Sequence, residues 1–262
     1  MSEEPVLFSI DGAVATVTLN RAKAGNAIDL PLAQALLRVA ARCQADPAIR
    51  CVVLTGNGKL FCGGGDVASF AAAGEEASAF ISELAGTLHL AMSRFLQMPK
   101  PFVVLVNGPA AGAGLGLAVS GDIVIAARSA QFSSAYGQVG LTPDGGASWL
   151  LPRLIGLRRA QEVLIGNRSL SAEEGAEMGL VTRVVDDEEL TEAGQQQAAK
   201  LARAPNVALG RTRMLMLEGA SDSFESHLER ETRSIAAAAG SKDGREGVAA
   251  FLERRKPVFT GE

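Results

Sequence analysis

Cysteine, histidine and aromatic residues are scarce in this chain. Its 262 residues include three cysteines, Cys43, Cys51 and Cys62, with no CxxC spacing between them. That excludes a disulfide framework. They read as small buried residues in a reducing compartment. Two histidines and no HExxH sequence exclude the common zinc motifs. Long apolar runs are missing too. The stretch at 102–106 spans five residues and glycines interrupt the apolar residues beyond it, so no bilayer-spanning segment is expected. The start, MSEEPVLFSI, lacks the basic and apolar parts of a secretory signal, and the final FTGE is not a peroxisomal address. There is no basic excess: 25 Lys and Arg against 29 Asp and Glu give a net charge of −4. Such a chain has no global attraction for phosphate backbones or anionic membranes. The expectation is a soluble cytoplasmic protein with neither nucleic acid nor membrane as partner.

What is present is an ordinary globular composition, 47% hydrophobic and 21% charged, with 29 glycines. The length fits one large domain or a core with an appendage. Residues 6–10 and 13–19 are strand-like, and Asp11-Gly12 between them signals a hairpin. Asp29-Leu30-Pro31 opens a helix that Ala33, Leu36, Leu37 and Ala40 continue at helical spacing. Residues 51–54 and 102–106 are wholly apolar, as buried strands are. Residues 76–97 between them read as a helix stopped before Pro99. Further strands are expected at 123–127 and 181–185, with a capping box at Ser171 and Glu174 ahead of the second. This alternation predicts an α/β fold with a largely buried sheet over residues 1–195 and a helical region over 196–262.

Three segments carry residues suited to chemistry. Phe61-Cys62-Gly63-Gly64-Gly65-Asp66 comes after a predicted strand, and its glycines let a ligand approach exposed backbone N–H groups; a tight loop explains the run equally simply. Asn107-Gly108-Pro109-Ala110-Ala111-Gly112-Ala113-Gly114 leads from a strand into a helix opening near Ala113, where unpaired N–H groups favour an oxyanion or a phosphate. Its GxGxG spacing, with no acidic residue about twenty positions on, argues against a dinucleotide fingerprint. Tyr136 to Gly146 is the third. Asp144 there is either a helix N-cap or a carboxylate placed to move protons.

Taken together, and with Val14-Ala15-Thr16-Val17-Thr18-Leu19-Asn20-Arg21 near the start and Arg245-Glu246-Gly247-Val248-Ala249-Ala250-Phe251-Leu252 near the end, these segments resemble the crotonase superfamily, the enoyl-CoA hydratase/isomerase family. The resemblance runs over essentially the whole chain. It implies a repeated ββα spiral core with a C-terminal helical trimerisation region, and a homotrimer or a dimer of trimers. It implies an acyl-CoA thioester substrate, with coenzyme A as part of the substrate and no other cofactor. The thioester oxygen would sit between the N–H groups of Gly65 and Ala113. Removing a proton beside a thioester puts negative charge on that oxygen, and preorganised donors stabilise it.

Family hydratases use two glutamates, and motif matching puts those positions at Gly116 and Tyr136. Neither supplies a carboxylate. Asp144 matches the acidic position of family isomerases, so the expectation is an enoyl-CoA isomerase taking 3-enoyl-CoA to 2-trans-enoyl-CoA with one acid/base. Residues 140–153 also resemble the ring-epoxide phenylacetyl-CoA isomerases. His89, Tyr136 and Asp144 stand where the family's 4-chlorobenzoyl-CoA dehalogenase has His, Trp and Asp. A non-catalytic CoA-binding homologue is a further alternative. By the same matching, Lys23, Ala24 and Ala27 in the first loop, Gly63, Asp66 and Val67 beside Gly65, and Phe251 and Arg254 near the end are candidate substrate contacts, along with Tyr136 and His89. The apolar Val248, Phe251 and Leu252 on the last helix need covering, in line with oligomerisation.

Overall fold

The computed structural model describes residues 4–262. Strands β1 (Val6–Asp11) and β2 (Val14–Leu19) form the expected antiparallel hairpin, with Gly12 at φ 55° in the turn. Helix α1 (Leu30–Ala45) starts where predicted: Asp29 caps it by accepting the Leu32 N–H at 2.9 Å, and Pro31 stands in its first turn. Next in order are β3 (Cys51–Gly56), α2 (Val67–Ala72), α3 (Ala77–Gln97), β4 (Phe102–Val106), β5 (Ala110–Ala111), α4 (Ala113–Ala118), β6 (Ile123–Ala127) and β7 (Gln131–Ser133). After these come α5 (Ala147–Ile155), α6 (Leu157–Leu164), β8 (Leu170–Ser171), α7 (Ala172–Met178), with its Ser171–Glu174 capping box, and β9 (Arg183–Val185). Helices α8 (Leu190–Ala202), α9 (Asn206–Gly219), α10 (Phe224–Ala239) and α11 (Lys242–Leu252) complete the chain.

The main sheet runs β1-β2-β3-β4-β6-β9, parallel from β2 onward, and a small second sheet joins β5, β7 and β8. This is the expected α/β architecture with C-terminal helices. Both faces of β4 are buried, which is why its sequence is a continuous apolar run. Phe102, Val104 and Val106 enter the large core, and Val103 and Leu105 face the second one under α8. A β-carbon on Gly194 of α8 would stand 2.3 Å from Leu105 Cδ1, so the helix backbone rests on the sheet. Residue 195, the expected end of the core, lies inside this helix.

One arginine ties α9 to the core. Arg213 of α9 is buried, holds Asp122 at 2.6 Å and donates to the Met98 carbonyl; Asp122 also accepts the Phe102 N–H. By contrast α10 buries no residue, and it leaves Phe224 and Ile235 exposed. Among the described residues, no helix is long and apolar enough to cross a membrane.

Candidate active site

The two glycine-rich segments lie side by side. Ile28 donates its N–H to the Gly64 carbonyl, Asp66 to Ile28, and Ala111 to Cys62, at 2.7, 2.9 and 2.9 Å. Gly64 has φ 94°, and a β-carbon there would meet the Ala111 carbonyl oxygen at 2.8 Å. A β-carbon on Gly114 would stand 2.4 Å from the Cys62 carbonyl oxygen. Side chains at these places would force the segments apart. The Gly65 and Ala113 N–H groups are left without a protein acceptor among the described residues. Both residues line one cavity of about 390 Å³.

The cavity wall is mostly apolar. Ile81, Leu84 and Leu88 come from α3, Val139 and Leu141 from the segment after β7, and Val67 and Phe70 from α2. The Phe70 ring lies against Gly65, where a β-carbon would be 2.6 Å from Cζ. Among the described residues, Asp144 is the one acidic side chain lining this cavity, and Tyr136 stands beside it. Tyr136 donates its hydroxyl to Asp144 Oδ1 at 2.5 Å. Burial, and after it the Asp144 charge, pushes the Tyr136 phenol well above its ordinary range. His89 Nε2 accepts the Gly145 N–H at 3.1 Å and lies 3.4 Å from Asp144 Oδ2. Asp144 is not the cap of α5. Gly145 and Gly146, at φ 58° and 74°, intervene, and the helix starts behind Gly146 with no side-chain cap.

Of the expected residues, Gly63, Gly65, Val67, Ala113, Tyr136 and Asp144 line the cavity. His89 stands behind Asp144 rather than on the wall. Lys23 and Ala24 form an exposed 3₁₀ turn and Ala27 is half-buried, all in the loop next to the 60–66 segment, where Gly63 donates to the Gly25 carbonyl at 2.9 Å. Asp66 is occupied structurally: it caps α2 through Ser69 and pairs with Arg21 at 3.0 Å. Phe251, 83% exposed, and Arg254 lie on the surface at the C-terminal end and are not on the cavity wall. Cys62 is fully buried with its thiol pushed up to about 12 by desolvation, so it is inert at neutral pH.

One organising residue escaped the sequence reading. Asn26 is fully buried at φ 54°; its amide donates to the carbonyls of Asn57, Leu60 and Phe61 and its oxygen accepts the Arg21 N–H. It joins the first loop to the segment that carries Gly65. Its signal was the Gly25-Asn26 pair, two residue types that tolerate the left-handed region.

An α/β spiral whose cavity joins two free main-chain N–H groups to one carboxylate defines the class of protein. The enoyl-CoA hydratase/isomerase family model matches residues 9–262. A 1,2-epoxyphenylacetyl-CoA isomerase of Escherichia coli (strain K12) is 38% identical, over 99% of each chain. A trans-2-decenoyl-[acyl-carrier-protein] isomerase of Streptococcus mutans is 30% identical over 100% of each. Among solved structures, an enoyl-CoA hydratase from Polaromonas sp. JS666 superimposes with a TM-score of 0.93 at 32% identity, covering 97% of this chain and 99% of that one. The chain belongs to the enoyl-CoA hydratase/isomerase family.

Proposed function

We propose that the protein is an acyl-CoA isomerase that moves a double bond from the 3- to the 2-position of an enoyl-CoA, with Asp144 as its single acid/base. The observation that carries this reading is the lone carboxylate on the cavity wall, beside the free N–H groups of Gly65 and Ala113. Asp144 removes a C2 proton, the dienolate oxygen rests between the two N–H groups, and the same carboxyl returns the proton at C4. Donors of this kind contribute about 3 kcal/mol each where measured in another enzyme. No redox or metal chemistry is called for by this step, and coenzyme A enters as part of the substrate.

The apolar wall from Ile81 to Leu88 suits the acyl group. Lys23, Ala24, Ala27, Gly63, Asp66 and Val67 would then lie along the CoA portion, with Phe251 and Arg254 reaching it from a neighbouring subunit of a homotrimer or a dimer of trimers. The exposed apolar residues of α10 and α11 support such an assembly. Cytoplasmic acyl-CoA metabolism is the corresponding setting. Water addition finds no second carboxylate, since Gly116 and Tyr136 occupy the positions where family hydratases carry glutamate.

A second reading, isomerisation of a ring-epoxide phenylacetyl-CoA, is favoured by the 38% identical relative over the full chain. A panel of 3-enoyl-CoA, 2-enoyl-CoA with water, ring-epoxide phenylacetyl-CoA and 4-chlorobenzoyl-CoA separates the possibilities. Isomerase turnover that falls by about 10²–10⁴-fold in Asp144→Asn supports the proposal. Hydration or chloride release as the main activity overturns it, and so does CoA affinity without any turnover.

A further inference from the structure

The two oxygens of the Asp144 carboxylate have different surroundings. Oδ1 accepts the Tyr136 hydroxyl at 2.5 Å. Oδ2 faces His89 Nε2 at 3.4 Å. That ring nitrogen accepts the Gly145 N–H at 3.1 Å, so its lone pair is directed to that amide and not to Oδ2. One oxygen is tied and the other is free.

We propose that Tyr136 is a positioning residue: its hydroxyl fixes Oδ1 and leaves Oδ2 as the oxygen that carries the proton. The inference rests on the isomerase reading given above. In that reaction Oδ2 forms a bond to the C2 proton while the C–H electron pair moves into the dienolate. The Oδ2–H bond then breaks as an electron pair of the dienolate takes the proton at C4. Nothing is oxidised or reduced, and the carboxylate is regenerated.

The surroundings of Tyr136 suit this role. It is 9% exposed, on the 3₁₀ turn Tyr136–Val139, and its hydroxyl has one other contact, the Asp144 carbonyl oxygen at 3.3 Å. The carboxylate is the shorter and charged acceptor, hence the stronger one. Because burial raises the phenol, Tyr136 keeps its proton and stays a donor across the working pH range. The turn behind Asp144 is itself fixed, since Gly145 packs against Ala113 and Gly116 of α4. A carboxylate held at both its backbone and one oxygen can meet C2 and C4 without rotating away, and misplacement of about 1 Å is worth up to about a hundredfold in rate. The ionisable groups facing Asp144 are Tyr136 from the 3₁₀ turn and His89 from α3; α4, beneath the turn, carries none.

The test compares wild type, Asp144→Asn, Tyr136→Phe and Tyr136→3-fluorotyrosine in isomerase assays on 3-enoyl-CoA across pH. Tyr136→Phe is expected to lower kcat by about ten- to a hundredfold with KM nearly unchanged. Its acid limb moves to higher pH, because loss of a donor disfavours the ionised carboxylate. Tyr136→3-fluorotyrosine keeps the shape, donates more strongly and moves the limb to lower pH; it decides the question alone if the phenylalanine variant does not fold. Unmoved limbs, or wild-type kcat in Tyr136→Phe beside an inactive Asp144→Asn, overturn the inference alone. Wild-type turnover in Asp144→Asn overturns the isomerase reading and the inference with it.

Discussion

Gly116 lies directly against the Gly145 carbonyl: a β-carbon on Gly116 would stand 1.9 Å from that oxygen. The place that a side chain at 116 would take is therefore filled by the turn that presents Asp144. A side chain at 116 and the Gly145 carbonyl of that turn compete for one volume, and this chain has the second.

Gly116→Glu is accordingly expected to displace the 144–146 turn rather than to create a hydratase. Overpacking of this kind costs about 1–3 kcal/mol or more. Thermal denaturation checks the stability loss, and an assay of 2-enoyl-CoA hydration is expected to show no gain. A stable variant that hydrates efficiently would show that the turn can yield.

Gly64→Ala tests the pairing of the two glycine segments. At φ 94°, with the Ala111 carbonyl 2.8 Å from the added carbon, the substitution strains the backbone and separates Gly65 from Ala113. Loss of one well-placed donor is worth about 10²–10³ in kcat. Kinetics should show kcat falling further than the affinity for a saturated acyl-CoA; equal losses in both would mean a general collapse of the cavity.

Arg213→Ala removes the buried guanidinium that holds the part-exposed Asp122 carboxylate, whose pKa desolvation raises. Removing Arg213 leaves its carbonyl and carboxylate acceptors unpartnered, a loss of about 1–3 kcal/mol. Urea unfolding is expected to report a loss of that order, whereas Arg233→Ala, at an exposed pair, changes little.

The C-terminal tail should loosen in acid. Glu246 is held from 4.5 down to about 2, first by Arg255 and then by the Val258 N–H. A carboxylate depressed in the folded state stabilises fully above its unfolded value, and the contribution disappears as pH falls through the folded one. The Val258 amide shift is expected to titrate with a midpoint near 2 and to be flat in Glu246→Gln; a midpoint near 4.5 would contradict the bond.

Much of the architecture was legible because it is written locally. The Asp11-Gly12 hairpin, the Asp29 cap, the apolar runs of β3 and β4 and the capping box at Ser171 all appear where the sequence puts them. The strand expected from 181 begins at Arg183, since the Val181 N–H bonds back to the Gly175 carbonyl of α7 instead. The site was legible as three segments but not as a geometry. Local pattern allowed Asp144 to be a helix cap, and only the fold brings His89 of α3 within reach of its carboxylate. The helix expected over 76–97 gave no sign that Ile81, Leu84 and Leu88 would face a cavity. Asn26 reaches carbonyls more than thirty residues away, which no spacing rule could reveal.

The most direct test of the single-carboxylate account traces deuterium from a 3-enoyl-CoA dideuterated at C2. The account predicts that part of the label reaches C4 of the 2-enoyl product in wild type and that the slow residual turnover of Asp144→Asn carries no label to C4. Hydrogen at C4 drawn wholly from water, or label transfer that survives Asp144→Asn, would contradict it.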